Sequence, residues 1–336
     1  MSVARAVGLR SRARSSGAAT ALLLQRQGAL VALVALILFA SLRYGGFLTE
    51  QNLTSVLASN AAIGLISLGM AFVIMTGGID LSVGSVVALG SVVAAHTSGA
   101  GFLGAMAAGV GAGAGVGLLN GLIITRLGIE PFIVTLATLL GARGLALTLA
   151  DNRAVDVSFE SNFTQFGETE FFGLLYPAWV LLIAFALGIV VLRYARFGRH
   201  VLAIGGNEEA TRLMGLRTDR IKVSVYVLSG ALAGLAGVLL ASQNYAGQPT
   251  AAVGYELSAI AAVVVGGTLL TGGMGSIATT FVGFLLLALI FNVLNFESGE
   301  GVINLTAYWQ TVIRGAFLLI VVLLQARLLQ RARQEE

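Results

Sequence analysis

Apolar runs of membrane-crossing length recur along nearly the whole chain, and this recurrence constrains the fold more than any other feature. A spanning helix takes about 20 mostly apolar residues. Windows of that size fall near residues 28–42, 57–76, 82–98, 102–125 and 131–149, then near 175–193, 223–243, 253–271, 276–295 and 307–326. They predict an all-α polytopic membrane protein with about ten transmembrane helices. The first and third windows are short, and the glycine-rich turn after the second makes the second and third readable as one broken or re-entrant element. The composition agrees: 57% of residues are hydrophobic and 11% charged, against about a quarter charged in a soluble domain. Forty-four glycines against three prolines suit membrane helices in close contact, where small residues let backbones approach.

Charge supplies an independent check, because cytoplasmic loops collect Lys and Arg. With the N-terminus inside, the cytoplasmic segments hold Arg5, Arg10, Arg12, Arg14 and Arg26, then Arg126, the loop from Arg193 to Lys222, and Arg327, Arg331 and Arg333. The other side receives Asp151, Asp156, Glu160, Glu168 and Glu170 against Arg153, and also Glu297 and Glu300. This alternation predicts both termini in the cytoplasm. It divides the chain into an Arg-rich tail at 1–27, a transmembrane domain at 28–326 with its main cytoplasmic loop at 195–222, and a tail at 327–336. The first tail also has the makeup of a transit peptide, but no small-residue cleavage pattern follows the first apolar run, so a retained tail is expected. The net charge of +4 is nearly all arginine in short loops. It reads as an orientation signal for a chain in a lipid bilayer, not as a nucleic-acid surface.

Two polar runs stand out. In Thr76-Gly77-Gly78-Ile79-Asp80-Leu81-Ser82, the glycines permit a turn that an unbroken helix forbids, and Asp80 or Ser82 can cap the helix that follows. One reading is non-helical backbone at membrane depth, tolerated only beside protein or a water-filled cavity and a mark of substrate sites in transporters. The other is a tight surface turn with an N-cap. The same punctuation recurs at Thr271-Gly272-Gly273-Met274-Gly275, after the pair Gly266 and Gly267, and hints at two related halves. The second run lies in the loop: Gly205, Gly206, Asn207, Glu208, Ala210, Met214 and Gly215. Asn207 is placed to cap a short helix with Glu208 and Glu209 in its first turn, and Gly215 to end it. That helix shows Ala210, Leu213 and Met214 on one side, suited to a partner protein, or else lies solvated with its arginines on lipid headgroups.

Asn60, Asn120, Arg143, Glu256, Asn292, Asn295, Gln310 and Arg314 are polar within apolar runs. Helix-to-helix hydrogen bonding is the first account of the asparagines and substrate contact the second, while Arg143, Glu256 and Arg314 lie near enough to span ends to snorkel. Tyr176, Trp179, Tyr308 and Trp309 read as interfacial anchors. The chain has no cysteine, no G-x-x-x-x-G-K-[ST] phosphate loop and no G-x-S-x-G elbow. Its two histidines, His96 and His200, fall on opposite sides of the membrane. A metal site, a cofactor and an enzyme activity are therefore not expected, and energy from ATP has to come from another polypeptide.

Met75 through Ser85, Pro131-Phe132-Ile-Val-Thr135-Leu-Ala-Thr138 with Arg143-Gly144, Arg196-Phe-Gly-Arg199 through Asn207 to Gly215, and Val265-Gly-Gly267 with Gly272-Gly-Met-Gly-Ser276 resemble the permease subunits of bacterial ribose-type sugar ABC importers. The resemblance covers about residues 45–326. In its Arg-Phe-Gly loop and Asn295-Phe296, the chain is most similar to the second permease of the galactofuranose importer. The resemblance implies a monosaccharide carried across the bacterial inner membrane by a homodimer or heterodimer of permeases. It also implies two cytoplasmic ATP-binding cassette subunits and a periplasmic sugar-binding protein. The loop helix would be the coupling element on the ATPase, and Asn60, Gly77, Gly78, Asp80, Ser82, Asn120, Phe132 and Thr135 candidates for the translocation path. An ion-coupled transporter working alone is the alternative, with Asp80 and Glu256 as its candidate intramembrane acids.

Overall fold

The computed structural model describes residues 28–300, together with 309, 312, 313, 315, 316 and 319. Both proposed tails, Tyr308, Gln310 and Arg314 lie outside the described residues. The helices are α1 (Gly28–Arg43), α2 (Glu50–Ser59), α3 (Ala61–Met75), α4 (Val83–Thr97), α5 (Gly101–Leu127), α6 (Pro131–Leu149), α7 (Gln165–Glu168), α8 (Tyr176–Tyr194), α9 (Arg196–Gly206), α10 (Glu208–Leu213), α11 (Thr218–Asn244), α12 (Tyr255–Val265) and α13 (Ile277–Glu300). Two small antiparallel ribbons qualify the all-α expectation: β1 (Val155–Asp156) pairs with β4 (Ala246–Gly247), and β2 (Glu170–Phe171) with β3 (Leu174–Leu175).

Among the described residues, five helical stretches are long and apolar enough to cross a membrane, or six when α2 and α3, bent by 51° at Asn60, are taken as one broken span. One of the five is the continuous stretch Val83–Leu127, 45 residues long. At 1.5 Å per residue this is about twice the thickness of a bilayer core. The stretch folds back at Gly101, where φ is +81°. Gly109 of α5 then lies against Gly90 and Ala94 of α4, so the two helices form an antiparallel hairpin. The window at 253–271 holds only the 11-residue α12, because the chain before it is spent on β4 and an irregular segment. Arg143 does not snorkel: its guanidinium donates to the carbonyls of Pro249 (2.6 Å) and Ala251 (2.8 Å) and ties that segment to α6.

α11 is the axis of the bundle. It packs on α3, α4 and α5, and small residues set the spacing on each side. Gly109, Gly113, Gly117 and Gly121 of α5 recur every fourth position, which places them on one face. A β carbon on Gly113 would collide with the carbonyl oxygen of Gly230, and one on Gly230 with that of Gly113. A β carbon on Gly121 would lie 2.7 Å from the α carbon of Val223. These backbones touch directly, the form of helix contact that apolar lipid tails do not compete away. The core sits around α3, whose 15 residues are all buried.

Gly113→Val and Gly230→Val should each force α5 and α11 apart, at a cost of about 1–3 kcal/mol or more, and lower the midpoint of thermal unfolding in detergent. Gly141→Ala, whose added carbon meets nothing within 4 Å, should be neutral or stabilising in the same measurement.

Candidate functional site

α3 ends in a Schellman motif. Gly77, at φ +83°, donates its amide to the carbonyl of Ile74 (2.8 Å), and Gly78 donates to Val73 (3.2 Å). The unwound segment that follows carries Asp80 to the side of α11. Ser229 stands eleven residues (229 minus 218) into that helix, about 16 Å from its first turn at 1.5 Å per residue. Its hydroxyl donates to Asp80 Oδ2 (2.9 Å), while Asp80 Oδ1 accepts from the backbone amide of Ser82 (3.0 Å) and from its hydroxyl (2.6 Å). Asn120 of α5 donates through Nδ2 to the Ser82 hydroxyl (3.0 Å), and Thr135 of α6 donates to the carbonyl of Ile79 (3.2 Å). The break is therefore buried among helices and is not a solvated surface turn. Within the break, α6 bonds the Ile79 carbonyl and Asp80 bonds the Ser82 amide, while α5 and α11 hold the Ser82 and Asp80 side chains.

Ser82 is the N-cap of α4 but makes no side-chain capping bond; its hydroxyl is committed to Asp80 instead. Asp80 is 1% exposed, so it closes a polar knot and does not line a pore. Of the candidate path residues, the structure gathers Gly77, Gly78, Asp80, Ser82, Asn120 and Thr135 around this break. Phe132 is half exposed on the outer face of α6, and Asn60 lies at the opposite end of α3. Two residues of the knot, Ser229 and Tyr226, were missed in the sequence, where each is one more hydroxyl in an apolar helix. The Tyr226 hydroxyl is buried and unpartnered, and it lies so close to Gly78 that a side chain there would strike it.

The second glycine run meets the first. Gly273 donates its amide to the carbonyl of Met75 (3.0 Å), and a β carbon on Gly272 would lie 2.7 Å from the amide nitrogen of Gly77. The C-terminal end of α9 completes the junction: a β carbon on Gly205 would collide with the Met75 carbonyl and the Gly273 amide. Three segments far apart in sequence thus touch backbone to backbone. The echo between them needs correction, because the structural counterpart of Gly77 is Gly267 and not Gly272. α12 also ends in a Schellman motif, with Gly267 at φ +83° donating to Val264 (2.9 Å) and Thr268 donating to Val263 (3.2 Å). A helix end needs its left-handed residue at the first position past the cap, whereas Gly272 and Gly273 are consecutive left-handed residues within a loop.

The loop helix forms as expected. Asn207 caps α10 by accepting from the Ala210 amide (2.9 Å), and Gly215, at φ +86°, ends it. The preceding α9, an eleven-residue amphipathic helix burying Gly198, Val201 and Ile204, was read in the sequence as loop. The spacing of Phe197, Val201 and Ile204 was the available signal. On α10 only Thr211 is buried, whereas Leu213 and Met214 are 83% and 72% exposed. Glu208 fastens the helix to α11 through Lys222 (3.0 Å), whose side chain is largely buried. A cavity of about 790 Å³ lies between α10, the break and the α5–α6 turn, lined by Gly77, Gly78 and Tyr226 on one side and by Glu130, Glu208, Arg212 and Lys222 on the other. Among the described residues, no group of three His, Cys, Asp or Glu side chains could hold a metal ion.

Comparison with known proteins places this arrangement of a broken-helix bundle and a surface helix. Residues 52–322 match the family described as "Branched-chain amino acid transport system / permease component". The chain belongs to that family. It is 41% identical over 307 residues to the ribose import permease protein RbsC of Bacillus subtilis, covering 90% of this chain and 94% of that one. It is 39% identical to RbsC of Escherichia coli K12, over 89% and 93% of the two chains. It is 41% identical to the L-arabinose ABC transporter permease protein AraH of Azospirillum brasilense, over 90% and 87%. No solved structure matches the chain. Family membership agrees with the multi-pass, non-enzyme reading of the sequence.

Asp80→Ala should strand the Ser82 amide and the Ser229 hydroxyl in an apolar interior, at about 1–3 kcal/mol for each group left unpaired. Asp80→Asn keeps an acceptor for Ser82 and a donor toward Ser229, so unfolding midpoints in detergent should rank wild type, then Asn, then Ala. Gly205→Ala should destabilise more than Gly206→Ala, since the added carbon of Gly206 meets nothing within 4 Å.

Proposed function

We propose that this chain is the membrane-spanning permease of an ATP-driven importer that moves a neutral monosaccharide, of the ribose or arabinose class, across the bacterial inner membrane. The observation that carries the coupling part of this reading is the face of α10. Ala210 and Leu213, with the C-cap residue Met214, are exposed together on a six-residue helix that is capped, pinned by Lys222 and joined to two helix breaks through a junction of backbone contacts. An exposed apolar face on a rigid short helix is suited to a groove in a partner, and the partner that fits is an ATP-binding cassette subunit. The family description names amino acids, while the relatives RbsC and AraH are named for ribose and L-arabinose. Identities of 39–41% to these sugar permeases over nearly full length favour the sugar reading, and galactofuranose is one sugar within it.

In this account ten spans place both termini and the 195–222 loop in the cytoplasm. Residues 28–326 form the permease domain, a second permease copy or homologue completes the path, and a periplasmic binding protein delivers the sugar. Coupling passes from α10 through Gly205 and Gly206 to the ends of α3 and the 271–275 loop. Sugar leaving on the cytoplasmic side passes by way of the 790 Å³ cavity. The ion-coupled alternative is weakened by Asp80, which is sealed from water behind three hydrogen bonds.

The test is uptake into proteoliposomes containing the permease with its ATPase and binding protein. Leu213→Glu and Met214→Glu should cut ATP-driven uptake at least tenfold while leaving membrane insertion and unfolding temperature unchanged, because both positions are exposed. Sugar uptake driven by an ion gradient in the absence of the ATPase would overturn the proposal.

A further inference from the structure

We infer that the pocket at the α2–α3 bend is a monosaccharide subsite on the transport path, an inference that rests on the import reading and adds a place to it. The pocket has a volume of about 310 Å³ and lies at the end of α3 opposite the glycine break. Ser55, Ser59 and Asn60 form one wall, Tyr255 another, and Asn292 and Asn295 of α13 the third. Ser55 and Ser59 are four residues apart on an exposed face of α2, and Asn295 is also exposed. Hydroxyl and carboxamide side chains exposed on two facing helices leave this pocket open to water and to a polar solute.

The chemistry fits a polyol. Hydroxyl and carboxamide groups offer both donors and acceptors, as a neutral sugar does, and among the described residues no ionisable carboxylate, ammonium or guanidinium borders the pocket. Asn60 donates through Nδ2 to the carbonyl of Val56 (2.8 Å), which leaves its amide oxygen as an acceptor. Asn292 is held by a reciprocal amide pair with Asn52, at 2.8 and 3.2 Å, so the rim between α2 and α13 is fixed before a ligand arrives. The Tyr255 and Phe291 rings supply apolar surface for the C–H face of a sugar ring. Ligand pockets run from about 300 to 1,000 Å³, so this one is sized for a single small unit.

The chain contains no cysteine, which makes single cysteines informative without further engineering. Ser55→Cys and Ser59→Cys should react with a charged, membrane-impermeant methanethiosulfonate, while Leu187→Cys, 60% exposed on the apolar face of α8, should not. D-ribose or L-arabinose should slow the Ser59→Cys reaction at least threefold, and anionic gluconate should leave it unchanged. Labelling of Ser59→Cys no faster than that of Leu187→Cys would overturn the inference by showing the face to be covered. Labelling that neither sugar slows would overturn it by reducing the pocket to a water-filled space. ATP-driven uptake by the wild-type importer is measured separately, and its absence would contradict the import reading without deciding the protection result. Detergent unfolding of each variant identifies any that has lost the fold.

Discussion

The structure depends on a contact made without side chains. At the junction of Met75, Gly205 and Gly273, three backbone segments approach so closely that one added carbon on Gly205 would collide with two of them. A protein interior is close-packed and transmits displacement without absorbing it. A contact of backbone on backbone has no rotamer that could yield first. In the proposed coupling, a displacement of α9 would carry the end of α3 and the 271–275 loop with it. The left-handed glycines at Gly77 and Gly267 end α3 and α12 at the level where this contact can form.

The Asp80 knot has a complementary role. A span interrupted at membrane depth exposes peptide groups with no water to satisfy them, each costing several kcal/mol if left alone. Hydrogen bonds from Ser82 and Ser229 to the carboxylate, together with Asn120 to Ser82 and Thr135 to Ile79, fasten the interruption to three neighbouring helices. The break is consequently a defined joint and not a loosened helix. The glycine stripe along α5 and α11 then holds the axis against which such a joint can move. Two cavities with polar lining, one at each end of the buried α3, flank this arrangement.

Much of this was legible from the residues. Hydropathy located most of the helices, the chemistry of Asn207 and Gly215 bounded α10, and Thr76 to Ser82 was marked as a candidate break. Local sequence failed where partners are distant. Nothing near Asp80 says that Ser229 will reach it, and the match of Gly77 to Gly272 was a likeness of letters, whereas the match to Gly267 is one of hydrogen-bond pattern. Arg143 was placed at a span end because its acceptors, Pro249 and Ala251, lie more than a hundred residues away. α9 was hidden by a run of glycine and arginine whose apolar spacing shows only once Phe197, Val201 and Ile204 are counted together.

Coupling by a rigid junction is the central claim, and distance measurements between spin labels test it most directly in the assembled importer. Labels at Met214→Cys on α10 and Met274→Cys beside the junction should keep one mutual distance with and without bound nucleotide. Each should change its distance to a label at Leu103→Cys at the far end of α5. A Met214 label that shifts relative to Met274, while Met274 holds its distance to Leu103, would contradict the account.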